Sequence, residues 1–327
     1  MNRRRFITLT GLALWALAWT ASANAAGGDS ATFDRSFSVT APARLEVSNG
    51  SGNVEIRGSA DGTVHVHGKV MPGGWSMFGG GAKSVDEVAA NPPLEQNGNT
   101  IRIGKNSSWF KNVSIDYQIE VPHDTEIDSE VASGGITVDN VKGPVKASSA
   151  SGYVHVYRVD RDATVNAASG SIDIGTIGGY VRVSSASGDS QVADVKGELR
   201  VSAASGSIRI KRPADRVDAS TASGSIEVEQ ATNDLKVHAI SGTIQVSGNP
   251  SANRFWDLKT VSGSVQLRVP KDASFLLSAE STSGDIRSSI PVILEEQSKH
   301  SLRAHIGDSA GRVEVHTISG SVSVGSA

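Results

Sequence analysis

Residues Ala204–Val228 read ASGSIRIKRPADRVDASTASGSIEV, and the Ala-Ser-Gly that opens the stretch returns 18 residues later at Ala222. The interval is general. Ser-Gly pairs begin at Ser133, Ser151, Ser169, Ser187, Ser205, Ser223 and Ser241, each 18 residues from the last, then at Ser262 and Ser283 after spacings of 21, and again at Ser319. A fixed period of this length is the mark of a solenoid, in which each unit buries its apolar face only by stacking on its neighbours.

Within the unit SGSIDIGTIGGYVRVSSA, Ile172-x-Ile174 and Val181-x-Val183 alternate with polar residues across a glycine-containing turn. Alternation of period two gives two half-buried strands per unit. Positions 138, 156, 174, 192, 210, 228 and 246 hold only Val or Ile. The second strand repeats the pattern through Val145, Ala163, Val181, Leu199, Val217 and Leu235. The interleaved column Thr137, His155, Asp173, Gln191, Arg209, Glu227 and Gln245 shows no sameness, as expected where water sets the residue. These columns predict an all-β parallel β-solenoid of about 18 residues per coil, two short strands each, with two sheets facing across a thin core. An antiparallel meander is the lesser fold, because it gives no reason for like residues to recur at this interval. The handedness is not legible.

Gly134, Gly152, Gly170, Gly188, Gly206, Gly224 and Gly242 occupy one column without exception, which suits a corner where the backbone needs a positive φ. Alanine precedes the Ser-Gly pair at 132, 150, 168, 186, 204 and 222, and is read as small because the corner is tight; Ile240 breaks the pattern. In the outward column of the second strand, Lys146, Arg182, Arg200 and Lys236 form a candidate anion-binding strip, interrupted by Thr164 and Asp218. Guanidinium forks suit phosphate or carboxylate.

The solenoid is not uniform. Residues 43–67 carry the same strand logic and are placed as the first coil, whereas residues 71–98, glycine-rich with Trp75, Met77 and Phe78, form an irregular insertion, a loop or flap. Residues 285–310 lose the period before GRVEVHTISGSVSVG restores it, which predicts a final coil capping an exposed sheet edge.

The amino terminus begins MNRRRFITLTGLALWALAWTASANA, with three arginines, an apolar run and a small-x-small motif at Ala23–Ala25. This reads as a cleaved export signal over residues 1–25, of a twin-arginine-like or ordinary secretory kind, leaving 26–327 as a single repeat domain with no membrane span. Export implies a periplasmic, secreted or cell-surface location. Cleavage would remove three of 31 basic residues and no acid, leaving 28 against 34 acidic, or −6. That balance argues against nucleic-acid binding. Cysteine is absent, which removes disulfides, thiolate metal sites and a cysteine nucleophile.

The string SIDYQIEVPHDTEIDSEVASGGITVDNVKGPVKASSASGYVHV, with its Val/Ile-x-Val/Ile strands punctuated by Ser-Gly, resembles the bacterial adhesin family of β-strand-repeat domains of unknown function, related to the heads of some autotransporter adhesins. The resemblance runs from about Phe33 to Val324. It implies an exported β-helix-like domain and brings no catalytic residue with it.

Enzyme chemistry is not evident. The outward face mixes signs, with Asp173 between His155 and Gln191 and Glu227 beside Arg209, and the turns lack the repeated aspartate of calcium-binding rolls. His65 and His67 share a strand face without a third ligand and read as surface residues. The expectation is therefore no catalytic, cofactor or metal site. The leading function is adhesin-like binding or scaffolding in the bacterial envelope, toward a glycan, lipid or protein. An envelope-stress or signalling partner of a membrane protein is the alternative, and a carbohydrate-active β-helix enzyme a minor one.

Overall fold

The computed structural model describes residues 30–40, 42–73, 85–104, 113–213, 215–308 and 310–327. The expected export signal and the Trp75–Phe78 cluster lie outside them. The chain opens with β1 (Ala31–Ser38), β2 (Arg44–Ser51), β3 (Val54–Ser59) and β4 (Thr63–Pro72), then α1 (Val85–Ala90), β5 (Leu94–Asn97), β6 (Thr100–Ile103) and β7 (Val113–Pro122). Strand pairs follow: β8 (Glu126–Ser133) and β9 (Ile136–Val141), β10 (Val145–Ser151) and β11 (Val154–Val159), β12 (Ala163–Ser169) and β13 (Ile172–Ile177), β14 (Val181–Ser187) and β15 (Ser190–Val195). The series continues through β16 (Glu198–Ser205) and β17 (Ile208–Arg212), β18 (Arg216–Ser223) and β19 (Ile226–Ala231), β20 (Asp234–Ser241) and β21 (Ile244–Gly248), β22 (Phe255–Ser262) and β23 (Val265–Val269). The last elements are β24 (Phe275–Ser283), β25 (Ile286–Ser288), β26 (Ile293–Gln297), β27 (Ser301–Ile306), β28 (Gly311–Ser319) and β29 (Val322–Ser326).

The protein is a parallel β-solenoid. The first strand of each regular pair joins a 15-stranded sheet and the second a 14-stranded sheet, and through most of the array each residue pairs with the one 18 positions on, as in Val165↔Val183 and Ile208↔Ile226. β-branched residues alternate with polar ones, so one side of each strand turns inward. Val183, Val201, Val156 and Ile174 are completely buried between the sheets. No single coil has a core. The stack makes one continuous apolar filling from Phe33 to Val324.

The corner column shows why glycine recurs. Gly188 has φ +120°, and a Cβ there would stand 2.1 Å from the carbonyl oxygen of Gly170 in the preceding coil. Both the backbone sign and the stacked carbonyl exclude a side chain. The alanines before it differ from expectation: Ala150, Ala168, Ala186 and Ala204 are exposed, so corner tightness does not keep them small.

The ends also depart from a simple stack. β2 and β3 do not begin the array, because β6 and β7 lie outside them, in the order β5-β6-β2-β8 and β1-β4-β7-β3-β9. β4 runs antiparallel to β1 and β7, so Val64 and Val66 belong to an antiparallel end ribbon and not to the first coil. The short helix α1 packs there against β1 and β4 and buries Val88. At the other end, the coil made by β28 and β29 caps nothing. It is inserted between β22–β23 and β24–β25, with Leu258↔Val315 on one side and Ala279↔Val315 on the other. The edge is instead closed by the antiparallel strands β27 and β26. Insertion preserves the apolar columns: Val313 and Val315 fall in line with Trp256 and Leu258 before them and Leu277 and Ala279 after them.

Candidate functional site

The strip read from the sequence lies on the outer face of the 15-stranded sheet, and pairing decides its charge. Arg182 sits in register with Thr164 and Arg200, and Arg200 with Asp218, which in turn faces Lys236. Lys146 Nζ is 3.1 Å from Asp128, and Arg200 reaches Glu198 at 3.4 Å and Asp218 at 3.9 Å. Lys236 faces Asp257 across the next pairing. Four cations are thus interleaved with carboxylates, and only Arg182 and Arg200 lie side by side. Arg182 has no ion pair among the described residues.

The seven corner glycines stack at one edge of the same sheet, with φ between +120° and +145°. His65 and His67, on β4, are separated from them at the amino-terminal end; they hydrogen-bond Ser36 Oγ at 2.9 Å and Asp34 at 2.7 Å. Among the described residues no three His, Asp or Glu side chains cluster as metal ligands.

A feature missed in the sequence occupies the carboxy-terminal part of the 15-stranded sheet. A cleft of about 860 Å³ runs along the array, across the strands, from Ala203 to the turn at Ser298–Ser301. One wall is the column just before the Ser-Gly pairs. Alanine holds this column through Ala222, but Ile240, Val261 and Ile318 take it over here and are 58%, 45% and 54% exposed. The signal was present in the tripeptides ISG, VSG and ISG, of which only the first stood out as an exception to ASG. The insertion of β28 completes the wall, because it places Ile318 beside Val261.

The opposite wall is polar. Lys259 Nζ is 2.9 Å from Asp257, whose other partner, His238 Nε2, stands at 3.5 Å, an ion-pair distance without a hydrogen bond. His316 Nδ1 lies 3.4 Å from Glu280. The floor is strand backbone, and beneath it, on the inward side with Trp256 and Leu258, lies a column of small residues in which Thr221, Thr317 and Ser281 donate their hydroxyls to backbone carbonyls. Thr260 differs, since its Oγ1 is buried without a partner. The far end is closed by a turn in which Ser298 and Ser301 share a 2.8 Å hydrogen bond and His300 Nδ1 bonds Gly284 O at 3.2 Å.

On the other sheet, Tyr153, His155 and Tyr157 form a short aromatic row, with the first two rings stacked at 4.6 Å. The Tyr157 hydroxyl donates to Asp173 at 2.7 Å, and burial, together with that carboxylate, pushes its pKa up to about 12.

The arrangement can hold a ligand along a face. No curated protein sequence matches the chain. Among solved structures, a "putative cell adhesion protein" from Clostridium sporogenes is similar at 11% identity over 90% of this chain and all of that one, with a TM-score of 0.21. The family model described as Toastrack DUF4097 matches residues 42–229 and 179–325. Together those two segments span residues 42–325, the whole regular array and all of its irregular ends but β1, so the chain belongs to the Toastrack DUF4097 family, whose β-repeat domains have no assigned function.

Proposed function

We propose that this protein is an exported, non-enzymatic domain that binds or scaffolds a component of the bacterial envelope. The observation that carries the reading is the column Ile240, Val261, Ile318. These side chains are exposed, so the fold gains little by having them in place of the alanines of earlier coils. A contiguous exposed apolar wall on a soluble face marks a contact surface. The arginine-led, apolar amino-terminal segment supports export. The pair Arg182 and Arg200, which lies outside the cleft, offers two adjacent guanidinium groups to a separate anionic envelope component.

The test has two parts. Cells are fractionated, and intact ones treated with protease, to place the mature chain in the periplasm or on the surface; a cytoplasmic chain of unprocessed mass sinks the reading. Purified protein is then incubated with isolated envelope material, for the wild type, an Ile240→Ala/Val261→Ala/Ile318→Ala variant and an Arg182→Ala/Arg200→Ala variant at low and high salt. Retention of wild type with loss in the first variant supports the cleft face, and a salt-sensitive loss in the second supports the arginine pair. No retention of the wild type overturns binding.

A further inference from the structure

We propose that the cleft between the Ile240–Val261–Ile318 wall and the Lys259–His316 wall binds a linear, uncharged glycan of pyranose units lying along the array axis. This rests on the binding reading above and names the ligand class.

The direction of the cleft is the first argument. Its walls are columns, one residue per coil, so every wall feature repeats at the strand spacing of about 4.8 Å. A ligand that repeats at a similar interval makes the same contact on each coil, and one pyranose unit of an extended glycan has about that length. A peptide bound as an added strand draws its affinity from pairing with a free strand edge. The floor here is the face of a sheet whose ladders run on both sides of β20, β22 and β28, so no backbone edge is available for pairing.

The chemistry of the walls is the second. Exposed aliphatic side chains on one side suit the C–H faces of sugar rings, and the other side presents imidazoles and hydroxyls. An imidazole donates or accepts according to tautomer, and a sugar hydroxyl does both, so the two pair whichever tautomer is present.

Charge is the third. Lys259 is matched by Asp257 and His316 faces Glu280, so no uncompensated cation awaits an acidic polymer. The closed end at Ser298–Ser301 sets a stop. The floor spans the six strands β16, β18, β20, β22, β28 and β24. Five intervals at about 4.8 Å give roughly 24 Å, or about five pyranose units.

The experiment is isothermal titration calorimetry of the full mature chain with neutral β-linked oligosaccharides of one to eight units, cello- and chito-series. Affinity should rise with length and level off near five units. The Ile240→Ala/Val261→Ala/Ile318→Ala variant should bind about tenfold or more weakly. His316→Ala, which removes an imidazole from the polar wall, should weaken binding several-fold without lowering the melting temperature, which keeps the test decisive if the triple variant does not fold. Gln191→Ala, on the other sheet, should bind as the wild type does.

Absence of heat with every neutral oligosaccharide overturns the proposal. So does binding that both cleft variants leave intact, or binding of a fatty acid or an acidic polysaccharide in their place. If wild type is retained by envelope material while no neutral glycan binds, this inference fails and the binding reading stands; if neither occurs, both fall.

Discussion

Thr317 donates its hydroxyl to the carbonyl oxygen of Gly263 at 3.3 Å, although 54 positions of sequence separate them. The contact records the insertion of the last coil between two that precede it in the chain. Deleting residues 311–327 takes away ladder partners from β22 and β23 on one side and from β24 and β25 on the other. Such a truncated chain is expected to melt at lower temperature and to bind a dye for exposed apolar surface. A melt equal to that of the full chain would show that the gap closes without the inserted coil.

Gly188→Val should destabilise the array clearly. The backbone conformation alone costs of order 1 to 3 kcal/mol, and the new side chain also meets Gly170 O. Gln191→Thr, half-buried in the outward column two residues into the next strand, should change stability by less than about 0.5 kcal/mol. Denaturant titration of both variants makes the comparison, and equal midpoint shifts would reverse the inward and outward assignment.

Ser190 occupies an inward position between Ile172 and Ile208, and its buried hydroxyl has no partner. Ser190→Val removes the unsatisfied group and adds apolar volume where both neighbours are isoleucine. The expected gain is about 1 to 2 kcal/mol, seen as a melting temperature a few degrees higher. A lower melting temperature would mean that the site has no room for the added methyl groups.

Arg182 and Arg200 face each other in register. Like charges directly opposed in a sheet repel, so Arg182→Thr should stabilise the protein by about 0.2 to 1 kcal/mol at low salt. The gain should disappear near 1 M salt, where screening acts within about 3 Å. A gain that persists there would assign the effect to threonine's strand preference.

Tyr157 should ionise late in an alkaline titration, although burial holds Tyr117 higher still. The Tyr157 pKa, raised to about 12 by burial and by the Asp173 carboxylate, means that the unfolded chain, ionising near 10, releases its proton first. The folded state then holds more protons than the unfolded one, so stability falls as pH rises through that window. Difference absorbance of wild type against Tyr157→Phe should show the phenolate appearing close to 12, and earlier in Asp173→Asn. A step near 10 in the wild type would contradict the hydrogen bond.

Period and columns made the array legible. The recurrence of Val or Ile at 138, 156 and 174 is the direct trace of parallel pairing, and the buried residues are the ones it marks. The order of coils at the ends was not legible, because Leu258 accepts Val315 as readily as Ala279 on the same apolar column. Side-chain type fixes the face and leaves the neighbour open. The candidate site was hidden for a related reason. Ile240 read as an exception to an alanine rule based on tightness, and the rule was mistaken, since the column faces water. Only with Ile318 placed beside Val261 does the exception become a wall.

The inserted coil also governs how the protein answers a mechanical load. In an ordinary solenoid, tension on the last residue peels the outermost coil and then the next, one ladder at a time. Here tension on Ala327 acts on β28 and β29, each held by a strand on both flanks. Rupture must break two ladders at once, first those of β29 and then those of β28, so the inserted coil is an anchored one, suited to bearing force.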